Sequence, residues 1–470
     1  MASIESEPTQ ADIDACLRVL GHVAAADPGD PRWQQVRRAV GDAYRADKKA
    51  RKAARREERR RHDRQALAAS ERHREQDPAP DPAPDPAPGP AREQAPRRLV
   101  RARRCYVCKA PYRQVHPQYH SMCPPCAQEN ADRRHARADL RGRRALVTGG
   151  RVKIGFHTAL KLLRDGAEVL VTTRFPRDAA RRFAAVCDAR DWLDRLHVHG
   201  VDFLDLPAVA DLVELVHRRF DHLDILVNNA AQTIRRPPAY YREVRAAEDR
   251  ALTGAAARVA VSGAARPALT AGQAPDALPD AGWEALSEAG WEALFPAGRT
   301  DETGQPLDLR DRNSWVLRLA EVPPGEWLEV HVVNAFVPFL LTSRLRGLME
   351  ASPHPDRYVV QVSAMEGSFS RSYKSAMHPH TNMAKASLNM MTRTSAADYA
   401  ASGIYMNSVD TGWVTDERPH PSRMEQRALG FRPPLDVIDG AARVYDPIVR
   451  GVRGEPVHGL FLKDYRPVEW

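Results

Sequence analysis

Two cysteine pairs and one lysine carry the plainest chemistry in this sequence. The stretch "CYVCKAPYRQVHPQYHSMCPPC", residues 105–126, holds Cys105, Cys108, Cys123 and Cys126 as two C-x-x-C knuckles separated by 14 residues. That spacing lets two tight turns present four thiolates tetrahedrally to a structural zinc ion. His116 and His120 lie between the knuckles as substitute ligands, but four cysteines already complete the set. A redox role for one pair explains the doubled spacing less well. Further along, "HPHTNMAKASLNMMTRTSAADYA", residues 378–400, sets Lys385 four residues after Thr381. In a helix those two share a face. An ammonium beside a hydroxyl can hold a ribose or a substrate oxygen, and His378 and His380 supply groups that titrate near neutrality.

Elements must position these residues, and the chain has room for several. At 470 residues it exceeds one average domain. Its net charge of +9 is uneven: between Asp47 and Arg64, ten Lys/Arg stand against four Asp/Glu. Such a patch can attract nucleic acid or an acidic protein partner. A solvated, ion-paired helix explains it without a partner. No apolar run approaches the roughly 20 residues of a membrane span. The start, "MASIESEPTQADIDA", lacks the basic and apolar regions of a signal peptide, so a cytoplasmic location is expected.

Residues 1–76 read as a basic helical region, continuous over 11–76, with Ile13, Cys16, Leu17, Leu20 and Val23 on one face. "DPAPDPAPDPAPGPA", residues 77–91, is an extended spacer within a linker over 77–98. The cysteine module spans 99–136. From 137 to 470, strands alternate with amphipathic helices. "RRALVTGG", "EVLVTTR", "LHVHGVDF" and "LDILVNNA" are strands, with helices over 178–196 and 207–220. Helix 326–350, strand "RYVVQVSA", the 378–400 helix, "IYMNSVDTG" and "GLFLKDY" follow. Such alternation predicts an α/β fold with a doubly wound parallel sheet. Residues 235–325, rich in Ala, Pro and Gly, read as an insertion. Its repeat "AGWEALSEAGWEAL" offers two tryptophans, Trp283 and Trp291, as anchors to the main domain.

"LVTGGRVKIGF", residues 146–156, lies where the first strand turns into a helix, so glycine there brings backbone amides to a pyrophosphate. Joined by Val201 and Asp202 after the third strand and by "NNAA", Asn228 to Ala231, after the fourth, this constellation resembles the short-chain dehydrogenase/reductase family. The resemblance covers about 139–234 and 326–466 and implies a Rossmann-like fold and a nicotinamide dinucleotide. In the family's T-G-x-x-x-G-x-G turn, Thr148, Gly149 and Gly155 match, Arg151 and Ile154 lie within it, and Lys153 replaces the middle glycine. Arg174, ending the second strand, points to NADP(H) over NAD(H), since a guanidinium pairs with a 2′-phosphate. Asn228 and Ala230 fall at the nicotinamide ribose. Gly412 and Val414, in "SVDTGWVTDE", match the segment beside the nicotinamide, with Thr411 for the family's proline.

The family's catalytic set is Asn, Ser, Tyr and Lys. Here Asn334 and Lys385 match, Ala364 takes the serine position with Ser363 before it, and Thr381 takes the tyrosine position. Lys385 has a second role implied, bonding the nicotinamide ribose. An alkyl alcohol is a far weaker acid than a phenol. Tyr373, His378 and His380 are therefore candidates for the missing acid, His380 standing at the mouth of the site. The expected function is an oxidoreductase on a small-molecule substrate, with a homo-oligomer open. The competing readings are a non-catalytic NADP(H) sensor or scaffold and a nucleic-acid-binding protein led by the N-terminal half.

Overall fold

The computed structural model describes residues 7–73, 97–264, 287–301 and 303–470. The proline spacer and Trp283 lie outside the described residues. Two compact units result, one of residues 1–66 with 98–101 and one of 67–97 with 102–470.

The first unit is a pair of helices, α1 (Gln10–Ala25) and α2 (Gln34–Ala68). The single helix expected over 11–76 is interrupted at "DPGDP". Two prolines there lack donors, and the Asp27 and Asp30 carboxylates accept from Gly29 N (3.2 Å) and Arg32 N (3.0 Å), forming turns instead. The Arg37 guanidinium then closes the end of α1 on Val23 O (3.0 Å) and Ala26 O (3.1 Å). Arg51 pairs with Asp47 (2.9 Å) and Arg64 with Glu57 (2.5 Å) on the exposed basic stretch of α2, a solvated ion-paired surface.

Strands β1 (Arg97–Arg104) and β2 (Pro111–Val115) form a two-stranded sheet, and α3 (Pro124–Arg134) follows in the second unit. The large sheet holds β3 (Arg144–Val147), β4 (Glu168–Thr173), β5 (Leu196–Gly200), β6 (Ile225–Asn228), β7 (Ala260–Gly263), β8 (Arg357–Ser363), β9 (Ile404–Asp410), β10 (Phe461–Lys463) and β11 (Arg466–Val468). Their order is β11-β10-β9-β8-β6-β3-β4-β5-β7, parallel except for β11, which turns back on β10. Helices α4 (Lys153–Arg164), α5 (Pro176–Ala184) and α6 (Leu206–Arg219) separate the first strands. The insertion carries α7 (Arg242–Glu248) and α8 (Glu288–Leu294). Then come α9 (Pro324–His331), α10 (Val337–Arg344), α11 (Arg346–Glu350), α12 (Pro379–Ala401), α13 (His420–Ala428) and α14 (Val437–Val452).

Both faces of the sheet are covered. Ala145, Val147, Val169, Val171 and Val227 pack with residues of α4, α5 and α14, whereas Leu146, Leu170 and Leu226 pack with residues of α6 and α10. Neighbouring residues of one strand thus serve opposite layers, as the two-residue period requires.

Three further elements differ from expectation. The 178–196 helix ends at Ala184 and continues as short 3-10 turns. Asp188, paired with the Arg164 guanidinium at 2.7 Å, sits at that break. The insertion contributes a strand, β7, whose Ser262 Oγ bonds the rings of His197 (2.8 Å) and His199 (2.9 Å) on β5. Trp291 stacks on Phe295 (5.9 Å), and Phe295 is the buried anchor, edge-on to Tyr240 at 5.6 Å. Finally, the 326–350 helix contains a π turn, Val332–Phe336, centred on Asn334. Such wide turns recur at functional sites.

Candidate functional site

Every family-like position of the sheet lies at or just beyond the C-terminal end of a strand, where parallel α/β folds bind ligands. After β3 the chain turns through Gly149 (φ +67°), and an added Cβ would lie 2.8 Å from Ala230 Cα. A Cβ on Gly155 would meet Asn229 Nδ2 and Gly149 O, both at 2.4 Å. The buried Thr148 hydroxyl accepts from Asn229 N (2.9 Å) and Ala230 N (3.0 Å). Asn229 in turn donates its amide to Thr148 O (3.0 Å) and Gly149 O (3.1 Å). So the turn is clamped by Asn229. The Asn228 amide instead donates to Thr342 Oγ1 (3.1 Å) and Gln361 Oε1 (3.0 Å), inside the sheet–helix layer. The strand's pleat aims adjacent asparagines to opposite sides, which corrects the expectation for the Asn228 side chain.

Helix α4 begins at Lys153 with no side-chain cap from Val152, so its first amides stay available to an anion. Lys153 keeps the left-handed backbone (φ +54°) that glycine would take. Its ammonium lies 3.4 Å from Glu417, whose carboxylate also accepts from Thr415 Oγ1 at 2.6 Å. Burial raises the Glu417 pKa, but the Lys153 charge, the Thr415 hydrogen bond and the Arg236 charge together outweigh it and hold the carboxyl at about 2. Lys153, Arg236, Asp308, Glu417 and Arg423 line a cavity of about 20 Å³ here, enough for a water or two. Arg151 is engaged elsewhere, 2.7 Å from Asp178. Arg174 is exposed beyond β4, donating to Tyr241 OH (2.7 Å) with its guanidinium 4.6 Å from that ring. Asp202 follows β5 and its carboxylate accepts from Leu204 N at 3.1 Å. Ile154 and Val414 both approach Gly440 of α14, at 3.0 and 3.2 Å from the Cβ it lacks.

Helix α12 opens at His378 (φ +43°), whose ring stacks on Trp315 at 4.0 Å and meets Asn382 Oδ1 at 3.0 Å. Thr381 and Lys385 are both buried on α12. Thr381 Oγ1 has no hydrogen-bond partner. Lys385 donates to Val362 O at 2.7 Å, and burial pushes its pKa down to about 8 against the pull of Glu366. His380 is fully buried, which corrects its expected place at the mouth. Its Nε2 lies 3.5 Å from the buried Glu326 of α9, and neither ring nitrogen has a hydrogen bond. Tyr373 is 72% exposed. Ser363 spends its hydroxyl on Asn389 Oδ1 (2.6 Å) beneath α12. Asn334 accepts from Gln232 N (2.7 Å) and donates to Gln232 O (3.0 Å), tying the π turn to the segment after β6. Residues 229, 232, 326 and 417 escaped the sequence reading; only the doubled asparagine offered a signal.

The four cysteines converge: their sulfurs all lie within 4.8 Å of one another, with Cys108 Sγ and Cys123 Sγ at 3.6 Å. Zinc–sulfur bonds of about 2.3 Å demand such a tetrahedral spacing. The backbone supports it, Cys105 O accepting from Lys109 N (3.2 Å) and Cys105 Sγ from Cys123 N (3.3 Å). His116 and His120 stand outside the cluster. A second group among the described residues, His222, Asp224 and His354, lies at the N-terminal end of the central strand β6. There the Asp224 carboxylate already accepts from Arg144 N (2.7 Å) and Ser352 Oγ (2.5 Å), which makes it a structural network.

Residues 143–270 match the short chain dehydrogenase family model, and residues 313–428 match the Enoyl-(Acyl carrier protein) reductase model. The chain belongs to the short-chain dehydrogenase/reductase family and is an oxidoreductase-type protein. An uncharacterized protein of Acanthamoeba polyphaga mimivirus is 32% identical over 359 residues, 74% of this chain and 71% of that one. Carbonyl reductase (NADPH) 1 of Sus scrofa is 38% identical over 87 residues, 18% of this chain and 29% of that one. Among solved structures, a putative short-chain alcohol dehydrogenase from Sinorhizobium meliloti 1021 superposes with a TM-score of 0.44 at 18% identity, covering 69% of this chain and 96% of its own. NADPH-bound carbonyl reductase from chicken fatty liver gives 0.42 at 16%, covering 70% and 100%. Among the described residues no helix is long and apolar enough to cross a membrane.

Proposed function

We propose that this chain is an NADP(H)-dependent oxidoreductase acting on a small carbonyl or alcohol, with its proton chemistry rebuilt around Thr381 and His380, and with a structural zinc ion on Cys105, Cys108, Cys123 and Cys126. The observation that carries the reading is the buried, unpartnered Thr381 hydroxyl one helical turn from the Lys385 ammonium. A buried hydroxyl without a partner costs about 1–3 kcal/mol unless something bonds it. A substrate oxygen or a ribose is the partner that an enzyme would supply.

The chain fits a dinucleotide. The uncapped start of α4 and the Gly149 turn would receive the pyrophosphate, Lys385 would hold the nicotinamide ribose, and the exposed Arg174 would take a 2′-phosphate with Tyr241 behind it. When bound, the nicotinamide supplies the hydride. The remaining work falls to side chains. Thr381 orients the substrate oxygen by donating to it. The proton is assigned to His380, whose Nε2 lies 3.5 Å from the Glu326 carboxylate. Asn334 keeps the π turn closed on Gln232.

A titration of NADPH and NADH followed by nicotinamide fluorescence, then turnover on a carbonyl panel, tests this. Thr381→Ala and His380→Ala should each lower turnover while leaving NADPH binding nearly unchanged. Activity intact in both would remove them from the chemistry. Binding with no turnover on any substrate would instead favour the sensor reading. Metal analysis of the purified protein tests the zinc, with one ion per chain expected and a folded, metal-free preparation counting against it.

A further inference from the structure

The cysteine module touches the loop after β9 through Tyr106, within the first knuckle. Its hydroxyl accepts from Trp413 N at 3.0 Å, in the loop whose Gly412 matches the family segment beside the nicotinamide. Gly412 itself is at φ +78°, and a Cβ there would lie 3.2 Å from the same hydroxyl. A polar chain continues inward. Asp410, at the end of β9, accepts from Gly412 N (2.8 Å) and from Met365 N (2.7 Å), the residue after the family's serine position. Lys463 lies 3.2 Å from Asp410 and 5.9 Å from the Tyr106 ring centroid. One knuckle residue thus braces the loop and the strand ends that carry the candidate site.

The two knuckles are held differently. The second leads into α3, which is fastened to the segment beginning α14: Tyr119 OH donates to Asp439 at 2.7 Å, and Arg134 pairs with Asp436 and Asp439 at 2.7 and 2.9 Å. These bonds need no metal. The first knuckle has an exposed Cys108 and a left-handed Lys109 (φ +62°), and is tied across to the second by Tyr106 N donating to Ser121 O (2.8 Å). A metal bridging all four thiolates would fasten the first knuckle to the anchored one, and so fix Tyr106.

We propose that Tyr106 is a positioning residue of the dinucleotide site, and that metal on the four cysteines tightens dinucleotide binding by setting Tyr106 against the 412–413 loop; this rests on the zinc and NADP(H) readings above. Linkage makes the coupling reciprocal, so NADPH must strengthen metal retention by the factor by which metal strengthens NADPH binding.

The test uses the full chain. NADPH affinity is measured for the zinc-loaded protein, the chelator-stripped protein and zinc-loaded and stripped Tyr106→Phe, and zinc competition with a chromophoric chelator is measured with and without NADPH. Stripping wild type should weaken NADPH binding about fivefold or more, the lower range of measured couplings. NADPH should raise zinc affinity by the same factor. Tyr106→Phe should keep one zinc and its fold, yet bind NADPH equally with and without zinc, as a merely structural residue would not. Equal affinity in stripped and loaded wild type, or coupling that survives in Tyr106→Phe, overturns the proposal. If stripping unfolds the chain, zinc-loaded Tyr106→Phe decides alone, and an NADPH affinity equal to wild type overturns it. A protein that never holds zinc sinks the zinc reading and the metal coupling, while Tyr106→Phe still reports on Tyr106. Failure of wild type to bind NADPH sinks the dinucleotide reading, and the proposal with it.

Discussion

On the proposed correspondence with the family, Lys153 stands at a glycine position and Thr381 at the tyrosine position, and the structure treats the two in opposite ways. At Lys153 the backbone keeps the left-handed conformation that glycine would adopt (φ +54°). That costs about 1–2 kcal/mol for a residue with a Cβ. The surroundings impose it: Asn229 clamps the turn from one side, and Gly155 must approach it from the other. At Thr381, on the proposed reading, the helix is kept while a much weaker acid stands where the family's phenol is expected. Backbone shape at the turn is determined by many contacts at once, whereas acidity at the helix depends on one side chain.

Removing Lys385 should separate these two regions most sharply. Lys385→Met is expected to cut turnover by about 10²-fold or more, on the scale of general acid–base contributions, while circular dichroism shows the fold retained. The pH dependence follows from the charge. Burial lowers the Lys385 pKa from 10.5 to about 8. Between those values the folded chain binds fewer protons than the unfolded one, so this group's contribution to stability rises with pH. Its hold on a ribose falls over the same range as the ammonium is lost. NADPH affinity should decline as pH passes about 8 in wild type, and that limb should vanish in Lys385→Met. A limb that persists would assign it to another group.

Gly155→Ala attacks the turn itself. With two atoms at 2.4 Å from the new Cβ, the clamp must open, at a cost of about 1–3 kcal/mol. Urea unfolding should register that loss together with weaker NADPH binding; an unchanged midpoint would mean the turn is softer than its contacts imply. Arg174→Asp should weaken NADPH binding about tenfold or more while altering NADH little, since a charge-assisted phosphate contact becomes a repulsion. Equal losses would remove Arg174 from cofactor choice. The smallest effect is expected at Glu417. Its carboxylate engages the Lys153 ammonium at the start of α4, where a pyrophosphate would compete for it. Glu417→Gln should tighten NADPH binding a few-fold, about the 0.2–1 kcal/mol of a partly exposed ion pair. A loss of affinity would show that Glu417 orients Lys153 for the phosphate.

The sheet was legible because parallel strands buried on both faces, such as "RALV" and "ILVN", leave apolar runs between helical periods. The four cysteines were legible because their spacing is local. Strand β7 was not, since "AVSG" is too short for its period to stand out, and its pairing partner β5 lies some 60 residues earlier. The π turn at Asn334 left no mark on a pattern read at 3.6 residues per turn. Which of Asn228 and Asn229 clamps the turn depended on the phase of a pleat at the end of β6. His380 was readable as a histidine before a helix, but its burial against Glu326 was not.

What the sequence by itself determined is the alternation of strands and helices, the glycine turn and the cysteine knuckles. These are properties of residues within a few positions of one another, where backbone sterics and side-chain period act directly. Only the tertiary structure decided that Lys153 meets Glu417, that His380 faces Glu326, and that Tyr106 reaches Trp413. Those partners lie tens to hundreds of residues apart, and a contact between them exists only once the sheet has brought its strand ends together.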